Sequence, residues 1–304
     1  MEAQELLSHK NKTPNFDHAL AQTVDRIKKA GDKPHVTVEQ QLSLLSELSR
    51  FALGQFLIEN KGLNGYWTHY LLSYPKFKSE KSFSDVETFM LRDAPTTKAT
   101  QQRSQIFLAE NQEKLAERAA LCSVPCGMMG ELLYLDFSDI EKLNLVGIDQ
   151  DAACFAGATT LLELQRLPFS PSFQCRDAYA LQSEDKFDLI SSNGLNIYQA
   201  DQSKNQKLYN SFYNALKKNG KLVVSYLTPP PSEDKPDDCE WNWDEINREH
   251  LLKQRIIFKD IIDANWTNYT STKDMLAMIK KAGFKNIRVE PDAGNLFPTL
   301  VAYK

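Results

Sequence analysis

Apolar residues follow one period in the first part of the chain and another in the remainder, and the change falls near residue 118. Up to that point they recur at helical spacing, and no convincing strand pattern interrupts them. The clearest stripe follows Thr37, which has capping-box spacing with Gln40, and it runs through Leu42, Leu45, Leu48, Phe51, Leu53, Phe56 and Leu57. The pattern therefore predicts a helical extension over residues 1–118.

Aromatic residues crowd a shorter helix later in this extension. Residues 66–72 are predicted to be helical, and Gly62 and Gly65 punctuate the chain before them. We expect this helix to end before Pro75, because the residue that precedes a proline disfavours the helical conformation. A long polar helix, or a pair of helices, is predicted over residues 96–117.

From Ala120 onward, short apolar runs alternate with helical patterns. This alternation predicts a parallel sheet with helices on both faces. Its strands are predicted at residues 121–124, 143–148, 172–175, 187–191 and 221–226. Two further predicted strands, at residues 285–290 and 298–303, have a short connection, which implies an antiparallel hairpin at the sheet edge. The fold class is thus α/β, with a Rossmann-like sheet domain over residues 119–304.

Composition and charge narrow the classes of function. The 304 residues are 42% hydrophobic and 25% charged, as in ordinary globular proteins, and the net charge of −4 gives no electrostatic footprint for nucleic acid. The five cysteines include no C-x-x-C pair, which favours a reducing compartment and argues against a disulfide framework and a zinc site. No signal-peptide pattern and no apolar run of membrane-spanning length is present in the sequence. We therefore expect a cytoplasmic protein with no metal, no nucleic-acid partner and no membrane partner.

A glycine turn and an acidic residue mark the start of the alternating part. The first predicted strand breaks into a turn at Pro125, Cys126 and Gly127, and the second predicted strand ends at Asp149. Strand, glycine turn, helix, strand and acid form the first half of a nucleotide-binding fold, in which the acid suits a pair of ribose hydroxyls. Glycine lets a ligand approach the backbone closely. Two structural alternatives stay open, since Gly127 can be a simple turn and Asp149 can cap the following helix.

Polar residues also follow the third and fourth predicted strands. Asp177 comes after the third, and Asn193 comes after the fourth. In an open parallel sheet, ligands bind outside the carboxyl ends of the strands, at the point where the strand order reverses. Both residues are therefore candidates for a binding site, although Asp177 can be a turn residue and Asn193 can form a turn with Gly194.

From about residue 119 to the C-terminus, these features resemble a class I S-adenosylmethionine-dependent methyltransferase. That family has a seven-stranded sheet with a terminal antiparallel hairpin, and Ala282-Gly283-Phe284 followed by two strands resembles its ending. The family's first strand carries acid-apolar-Gly-x-Gly-x-Gly, whereas here the aligned residues run from Ser123 to Met129 and keep only Gly127. The whole chain also resembles a bacterial group of uncharacterised methyltransferases with a helical N-terminal cap.

The resemblance implies S-adenosylmethionine as cofactor and assigns residues to it. Pro125, Cys126 and Gly127 match the cofactor turn. Asp149 matches the ribose-binding acid, with Gln150 against the adenine. The family pattern also places Asp177 and Ala178 at the adenine edge of the cofactor. It places Asn193 and Gly194 near the sulfonium.

The acceptor is expected to be a small molecule. We expect the helices of residues 1–118 to act as a cap or lid and to form the acceptor pocket with a loop over residues 229–243. The residues predicted to bind the acceptor are Tyr66, Trp67, Tyr70, Arg103 and Trp241, and the candidates for a catalytic role are Asn193, Tyr198 and His69. Two other functions stay open, a non-catalytic S-adenosylmethionine-binding or regulatory protein and an NAD-dependent oxidoreductase.

Overall fold

The computed structural model describes residues 15–77, 82–231, 239–265 and 268–304. Its α-helices are α1 (Phe16–Ala30), α2 (Val38–Leu48), α3 (Ala52–Asn60), α4 (Gly65–Phe77), α5 (Asp85–Thr88), α6 (Pro95–Gln112), α7 (Gly130–Leu133), α8 (Ala153–Gln165), α9 (Gln202–Ala215), α10 (Arg248–Arg255) and α11 (Thr272–Lys281). Its strands are β1 (Ala120–Ser123), β2 (Asn144–Asp149), β3 (Ser172–Cys175), β4 (Phe187–Ser192), β5 (Leu216–Ser225), β6 (Lys285–Glu290) and β7 (Thr299–Tyr303). Among the described helices, none combines the length and the apolar character needed to cross a bilayer.

The predicted capping box at Thr37 is present. The Gln40 amide donates to Thr37 Oγ1 over 3.1 Å, and the Thr37 amide donates to Gln40 Oε1 over 2.9 Å. The apolar stripe that follows is divided between α2 and α3, because the chain leaves the helical conformation between Leu48 and Ala52.

The prediction that the aromatic helix ends before Pro75 is wrong. Helix α4 runs through Pro75 to Phe77. Proline disrupts a helix by withholding its amide from the carbonyl four residues earlier. Here the carbonyl four residues earlier is that of Leu71, and Pro75 lies two residues before the end of the helix, so the disruption is confined to its last turn.

Two compact units make up the chain. The first, here called the helical unit, contains the described residues of Met1–Lys98 and Trp243–Trp266. The second, here called the sheet unit, contains those of Ala99–Asn242 and Thr267–Lys304. The described part of the predicted loop over residues 229–243 is thereby shared between the units, and residues 232–238 lie outside the described residues.

This division differs from a single boundary at residue 118. Most of α6 belongs to the sheet unit, where Phe107 is fully buried in the core of the sheet. A later segment belongs to the helical unit, because Ile257 and Ile261 are fully buried in its core. Helical periodicity shows that a segment has an apolar side, but it does not show which core receives that side.

The sheet has seven strands in the order β3-β2-β1-β4-β5-β7-β6. Strands β1 to β5 pair in parallel, and β7 is antiparallel to both β5 and β6. The predicted α/β fold class, with a C-terminal antiparallel hairpin, is confirmed. The order reverses between β1 and β4, and open sheets of this kind bind ligands outside the carboxyl ends of strands at such a reversal.

Each face of the sheet has its own apolar core, because successive side chains of a strand point to opposite faces. One core contains Leu121, Leu145, Leu189 and Val223 of the strands with Phe107, Leu132 and Leu161 of α6, α7 and α8. The other contains Cys122, Val146, Ile190 and Leu222 with Phe212 of α9 and Ile279 of α11. Helices therefore cover both faces, and the strand ends are left to carry polar residues.

Candidate functional site

The glycine turn links the end of β1 to the end of β2. Gly127 has φ 47° and Met129 has φ 59°, so both lie in the left-handed region. The Cys126 amide donates to the Ile148 carbonyl over 2.9 Å, which fixes the turn beside β2. Gly127 therefore occupies a position that favours glycine. Met129 stands where the resembling family has another glycine, and it adopts the backbone conformation that glycine adopts most easily.

Asp149 is held by the turn through its carboxylate. Its Oδ2 accepts from the Gly127 amide over 2.9 Å, and its Oδ1 accepts from the Asp151 amide over 3.0 Å. It does not cap α8, because the N-cap residue is Ala152 and the Ala153 amide is bonded by Asp151 Oδ1 over 3.0 Å. A carboxylate has about four lone-pair sites, and Cys154 also hydrogen-bonds this carboxylate, so about one acceptor position is left for a ligand hydroxyl.

Two cysteines complete a cluster around this carboxylate. The Sγ atoms of Cys126 and Cys154 and a carboxylate oxygen of Asp149 lie within 4.8 Å of one another. Hydrogen bonding with Cys154, together with burial, raises the pKa of the Cys126 thiol. Burial also raises the pKa of Asp149, although its backbone donors counter this effect. Because a metal ion has to displace the thiol protons, the cluster is interpreted as a hydrogen-bonded support for Asp149, and the absence of a metal site stays a prediction.

Glu131 is a candidate site residue that the sequence reasoning missed. It lies in the first turn of α7, and its Oε1 accepts a hydrogen bond from Ser123 Oγ at the end of β1. Burial raises the pKa of the Glu131 carboxyl to about 7. Ser123 occupies the position where the resembling family carries an acid, so the structure brings a carboxylate to that position from eight residues further along. In the sequence, the lack of an acid at Ser123 together with a glutamate just after the turn could have indicated this arrangement.

The residues predicted at the adenine edge lie after β2 and β3. Gln150 is partly buried, Ala178 is buried, and Asp177 is partly exposed. The Asp177 side chain accepts from the Tyr179 amide over 2.9 Å and caps a short 3-10 turn over Ala178–Ala180. Asp177 therefore stabilises a turn, and its contact with a cofactor stays a prediction.

A polar chain crosses the carboxyl ends of β4 and β5. Ser225 Oγ donates to Asn193 Oδ1 over 3.2 Å, and Arg103 Nη1 approaches Ser225 Oγ at 3.4 Å. Gly194 has φ 85°, so the chain turns after β4. This agrees with the alternative interpretation of Asn193 as a turn residue. Tyr198 ends the next 3-10 turn, and its electrostatic effect raises the pKa of Arg103. The structure thus brings together three predicted residues from distant parts of the sequence: Arg103, Asn193 and Tyr198.

Trp241 lies in the sheet unit beside the segment that follows β5. Its Nε1 donates to Thr228 Oγ1 over 3.0 Å, and Thr228 is fully buried. The neighbouring Asn242 amide donates to the Gly294 carbonyl over 3.0 Å. Trp241 is therefore attached to the segment after β5, while its neighbour Asn242 is attached to the connection between β6 and β7. The role of Trp241 towards an acceptor stays a prediction.

The aromatic residues of α4 belong to the helical unit. Trp67 packs edge-on against Tyr70, with ring centroids 5.3 Å apart, and both pack against the core of that unit. Tyr66 is 53% exposed. His69 Nε2 and Ser73 Oγ are 3.1 Å apart, and burial, with Lys76 nearby, lowers the pKa of His69. These contacts show that Trp67 and Tyr70 contribute to packing, and the acceptor and catalytic roles of the four residues stay predictions.

Comparison with known proteins finds a relative that matches almost the full chain. No protein-family model matches the sequence, and no curated protein matches it. A solved structure described as a possible exported protein from Bordetella parapertussis is 35% identical, with 95% of each chain covered and a TM-score of 0.89. The chain belongs to the family of this protein. The family's description names no activity, and the cytoplasmic location stays a prediction.

More distant structures establish the fold. A proposed O-methyltransferase from Nostoc punctiforme is 12% identical, with 86% of this chain and 71% of that chain covered and a TM-score of 0.50. The magnesium protoporphyrin IX methyltransferase of Synechocystis, solved with bound S-adenosylhomocysteine, is 11% identical, with 78% and 94% covered and a TM-score of 0.51. This chain therefore has the fold of class I S-adenosylmethionine-dependent methyltransferases, as the resemblance implied.

Proposed function

We propose that this chain is an S-adenosylmethionine-dependent methyltransferase that acts on a small-molecule acceptor. The observation that carries the proposal is the Asp149 carboxylate, which is held against the Gly127 amide at the end of β2. The carboxyl ends of β1 and β4 lie at the reversal of strand order, where sheets of this kind bind ligands. The fold shared with known methyltransferases supports the same assignment.

The donor set of the site fits this cofactor. Asp149 keeps an acceptor position for a ribose hydroxyl, and the left-handed turn at Gly127 allows close approach of a ligand to the backbone. Glu131, beside Ser123, offers a carboxylate for the ammonium group of the methionine part, in place of the acid that β1 lacks. We assign the remaining cofactor contacts to a further set: Pro125, Cys126, Gln150, Asp177, Ala178, Asn193 and Gly194.

Little chemistry is then required of the side chains. S-adenosylmethionine, when bound, supplies a methyl group that its sulfonium already activates for in-line displacement. The residues at the ends of β4 and β5 have the task of orientation, which accounts for most of the rate in such a reaction. Asn193 is fixed for this task by Ser225, and Tyr198 lies on the following turn. A general base is required only for an acceptor that is protonated at neutral pH.

Calorimetric titration with S-adenosylhomocysteine tests the proposal. We expect a dissociation constant in the micromolar range, and 1 μM corresponds to about 8 kcal/mol of binding free energy. The same samples should gain thermal stability at saturating ligand, by about 2.7 kcal/mol at a hundredfold excess over the dissociation constant. A protein that shows neither heat nor a thermal shift with this ligand, but responds to NAD, would contradict the proposal.

The NAD-dependent oxidoreductase is the weaker alternative, because a dinucleotide-binding sheet continues in parallel to its sixth strand, whereas β7 here runs antiparallel between β5 and β6. The non-catalytic cofactor-binding protein has a specific observation in its favour, since proline and methionine replace two glycines of the family's turn at Pro125 and Met129. Transfer of a radiolabelled methyl group to members of a metabolite panel separates it from the enzyme. Cofactor binding without transfer to any member of a broad panel would favour the non-catalytic function.

A further inference from the structure

Arg103 is a buried arginine whose hydrogen bonding is incomplete. The residue is 5% exposed, and its Nε has no hydrogen-bond partner among the described residues. Its Nη1 makes only a long contact of 3.4 Å with Ser225 Oγ. Leaving a buried charged donor unsatisfied costs more than an ordinary lost hydrogen bond. In the described part of the chain, no carboxylate forms an ion pair with this guanidinium. An additional partner would therefore be needed to satisfy its buried donor.

The groups around Arg103 compensate for its charge only in part. The Cζ atom lies 4.7 Å from the centre of the Phe297 ring, in a cation–π contact. Asp292 attracts the guanidinium, but its own oxygens accept from the Leu296 and Phe297 amides over 3.2 and 2.6 Å. Burial lowers the pKa of Arg103 to about 10 although Asp292 and Tyr198 oppose this change.

Arg288 shows how an arginine of the same unit is paired when its role is structural. Its guanidinium makes two hydrogen bonds to Glu110, of 2.9 and 2.6 Å, and one to Glu290 of 3.0 Å. It is also 38% exposed, so water can complete its shell. Arg103 is far more deeply buried and has no comparable bond.

The position of Arg103 connects it to the proposed site of methyl transfer. Ser225 ends β5, and Asn193 directly follows β4, so the Arg103–Ser225–Asn193 chain runs along the carboxyl ends of two paired strands. Ligands of such sheets bind at this edge. The guanidinium is therefore placed where an acceptor, and not only the cofactor, would be oriented.

We propose that Arg103 binds a carboxylate group of the methyl acceptor, so that the substrates of this enzyme are small organic acids. The inference rests on the proposed function. A planar guanidinium matches a carboxylate through paired N–H donors, and the free Nε–H of Arg103 is one such donor. Since Asp292 already offsets part of the positive charge, a singly charged carboxylate suits the site better than a doubly charged phosphate ester.

The resonance of the Arg103 Nε–H group in a 15N–1H correlation spectrum provides a direct test. The protein is first saturated with S-adenosylhomocysteine and is then titrated with benzoate, benzamide or phenyl phosphate. We expect benzoate to shift this resonance and to bind about tenfold more tightly than benzamide, since a charge-assisted hydrogen bond contributes roughly 1.5–3 kcal/mol. Phenyl phosphate should bind more weakly than benzoate.

Two variants test whether the response to benzoate comes from Arg103. Arg103→Lys keeps the charge but removes the Nε–H group, so the resonance should disappear and the preference for benzoate should fall by about tenfold, as one charge-assisted hydrogen bond is lost. Arg118→Lys is the matched control, because Arg118 is exposed in the same unit, and it should leave the benzoate response of the Arg103 resonance unchanged.

The outcomes separate this inference from the proposed function. If S-adenosylhomocysteine binds but no anion shifts the Arg103 resonance of the wild-type protein, the acceptor assignment is overturned and the methyltransferase proposal stands. A stronger response to phenyl phosphate than to benzoate also overturns the assignment of organic acids. If S-adenosylhomocysteine does not bind, the methyltransferase proposal fails, and the assignment of an acceptor fails with it.

Discussion

Asp149 joins the end of β2 to the glycine turn, and the same carboxylate is the proposed ribose ligand. It accepts from the amides of Gly127 and Asp151, and Cys154 also hydrogen-bonds it. A residue with both roles differs from a simple helix cap, which affects stability alone, and from a simple ligand-binding acid, which affects affinity alone. Substitution of Asp149 should therefore change both properties.

We predict that Asp149→Ala weakens the binding of S-adenosylhomocysteine at least tenfold and also lowers the stability of the protein. A charge-assisted bond to a ribose hydroxyl is lost, at roughly 1.5–3 kcal/mol, and two backbone amides lose their acceptor at about 1 kcal/mol each. Calorimetric titration and urea unfolding of the variant measure the two effects. Asp151→Ala is the control, since it removes the hydrogen bond to Ala153 and should cost about 1 kcal/mol of stability with little change in affinity. Normal affinity in Asp149→Ala would contradict the ribose assignment.

At the scale of elements, α6 is fixed to the sheet by a buried lysine. Lys221 of β5 is fully buried, and its Nζ lies 2.7 Å from both Glu110 Oε2 and Glu113 Oε2. Arg288 of β6 binds the same Glu110, and these partners lower the pKa of the Glu110 carboxyl although burial opposes the change. Since α6 also carries Arg103, this attachment sets the position of the proposed acceptor-binding guanidinium.

We predict that Lys221→Met lowers the free energy of unfolding by about 2 kcal/mol. Removal of one partner from a buried ion pair usually costs about 3–5 kcal/mol, and the cost is reduced here because Arg288 still pairs with Glu110. Urea unfolding is the measurement. Lys217→Met is the matched control, because Lys217 and Asp188 form a half-exposed pair 2.6 Å apart, and such pairs contribute about 1 kcal/mol or less. Equal losses in the two variants would show that the buried pair does not fix α6.

At the scale of the whole molecule, the shifted carboxyl groups act on stability in opposite directions. Hydrogen bonds from Lys33 and His35 lower the pKa of Asp260, although burial opposes the change. Its contribution to stability is therefore present above its ordinary pKa of 3.8 and is lost as the pH falls through the lower pKa of the folded state. Burial raises the pKa of Glu131 from 4.5 to about 7, so the folded state holds a proton that the unfolded state has lost, and stability falls as the pH rises through this window.

We predict that Glu131→Gln removes the loss of stability between pH 4.5 and about 7. Relative to the wild type, the variant should gain stability between pH 4.5 and pH 8, by about 3 kcal/mol at most when each pKa unit contributes about 1.4 kcal/mol. Urea unfolding at pH 4.5, 6 and 8 measures the difference. Glu163→Gln, at an exposed position of α8, is the control and should show no such trend. A difference between Glu131→Gln and wild type that does not change with pH would show that Glu131 is not protonated in the folded state near neutrality.

The sequence by itself determined the order of the strands and helices from Ala120 onward, the turn at Gly127 and the polar ends of β2, β3 and β4. These features depend on neighbouring residues, because strand and helix periodicity and the backbone freedom of glycine act over a few positions. The antiparallel hairpin could also be predicted from the sequence, since the connection between β6 and β7 is too short for a parallel crossover.

Only the tertiary structure decided which distant groups share an environment. It placed α6 in the sheet unit through Phe107, brought Glu131 to Ser123, and buried Arg103 beside Ser225 without an ion pair to any carboxylate of the described residues. It also carried α4 through Pro75, where the local preference of the sequence favoured an end. The physical reason is that burial and hydrogen bonding depend on contacts between residues far apart in the chain, and the preferences of short segments do not specify those contacts.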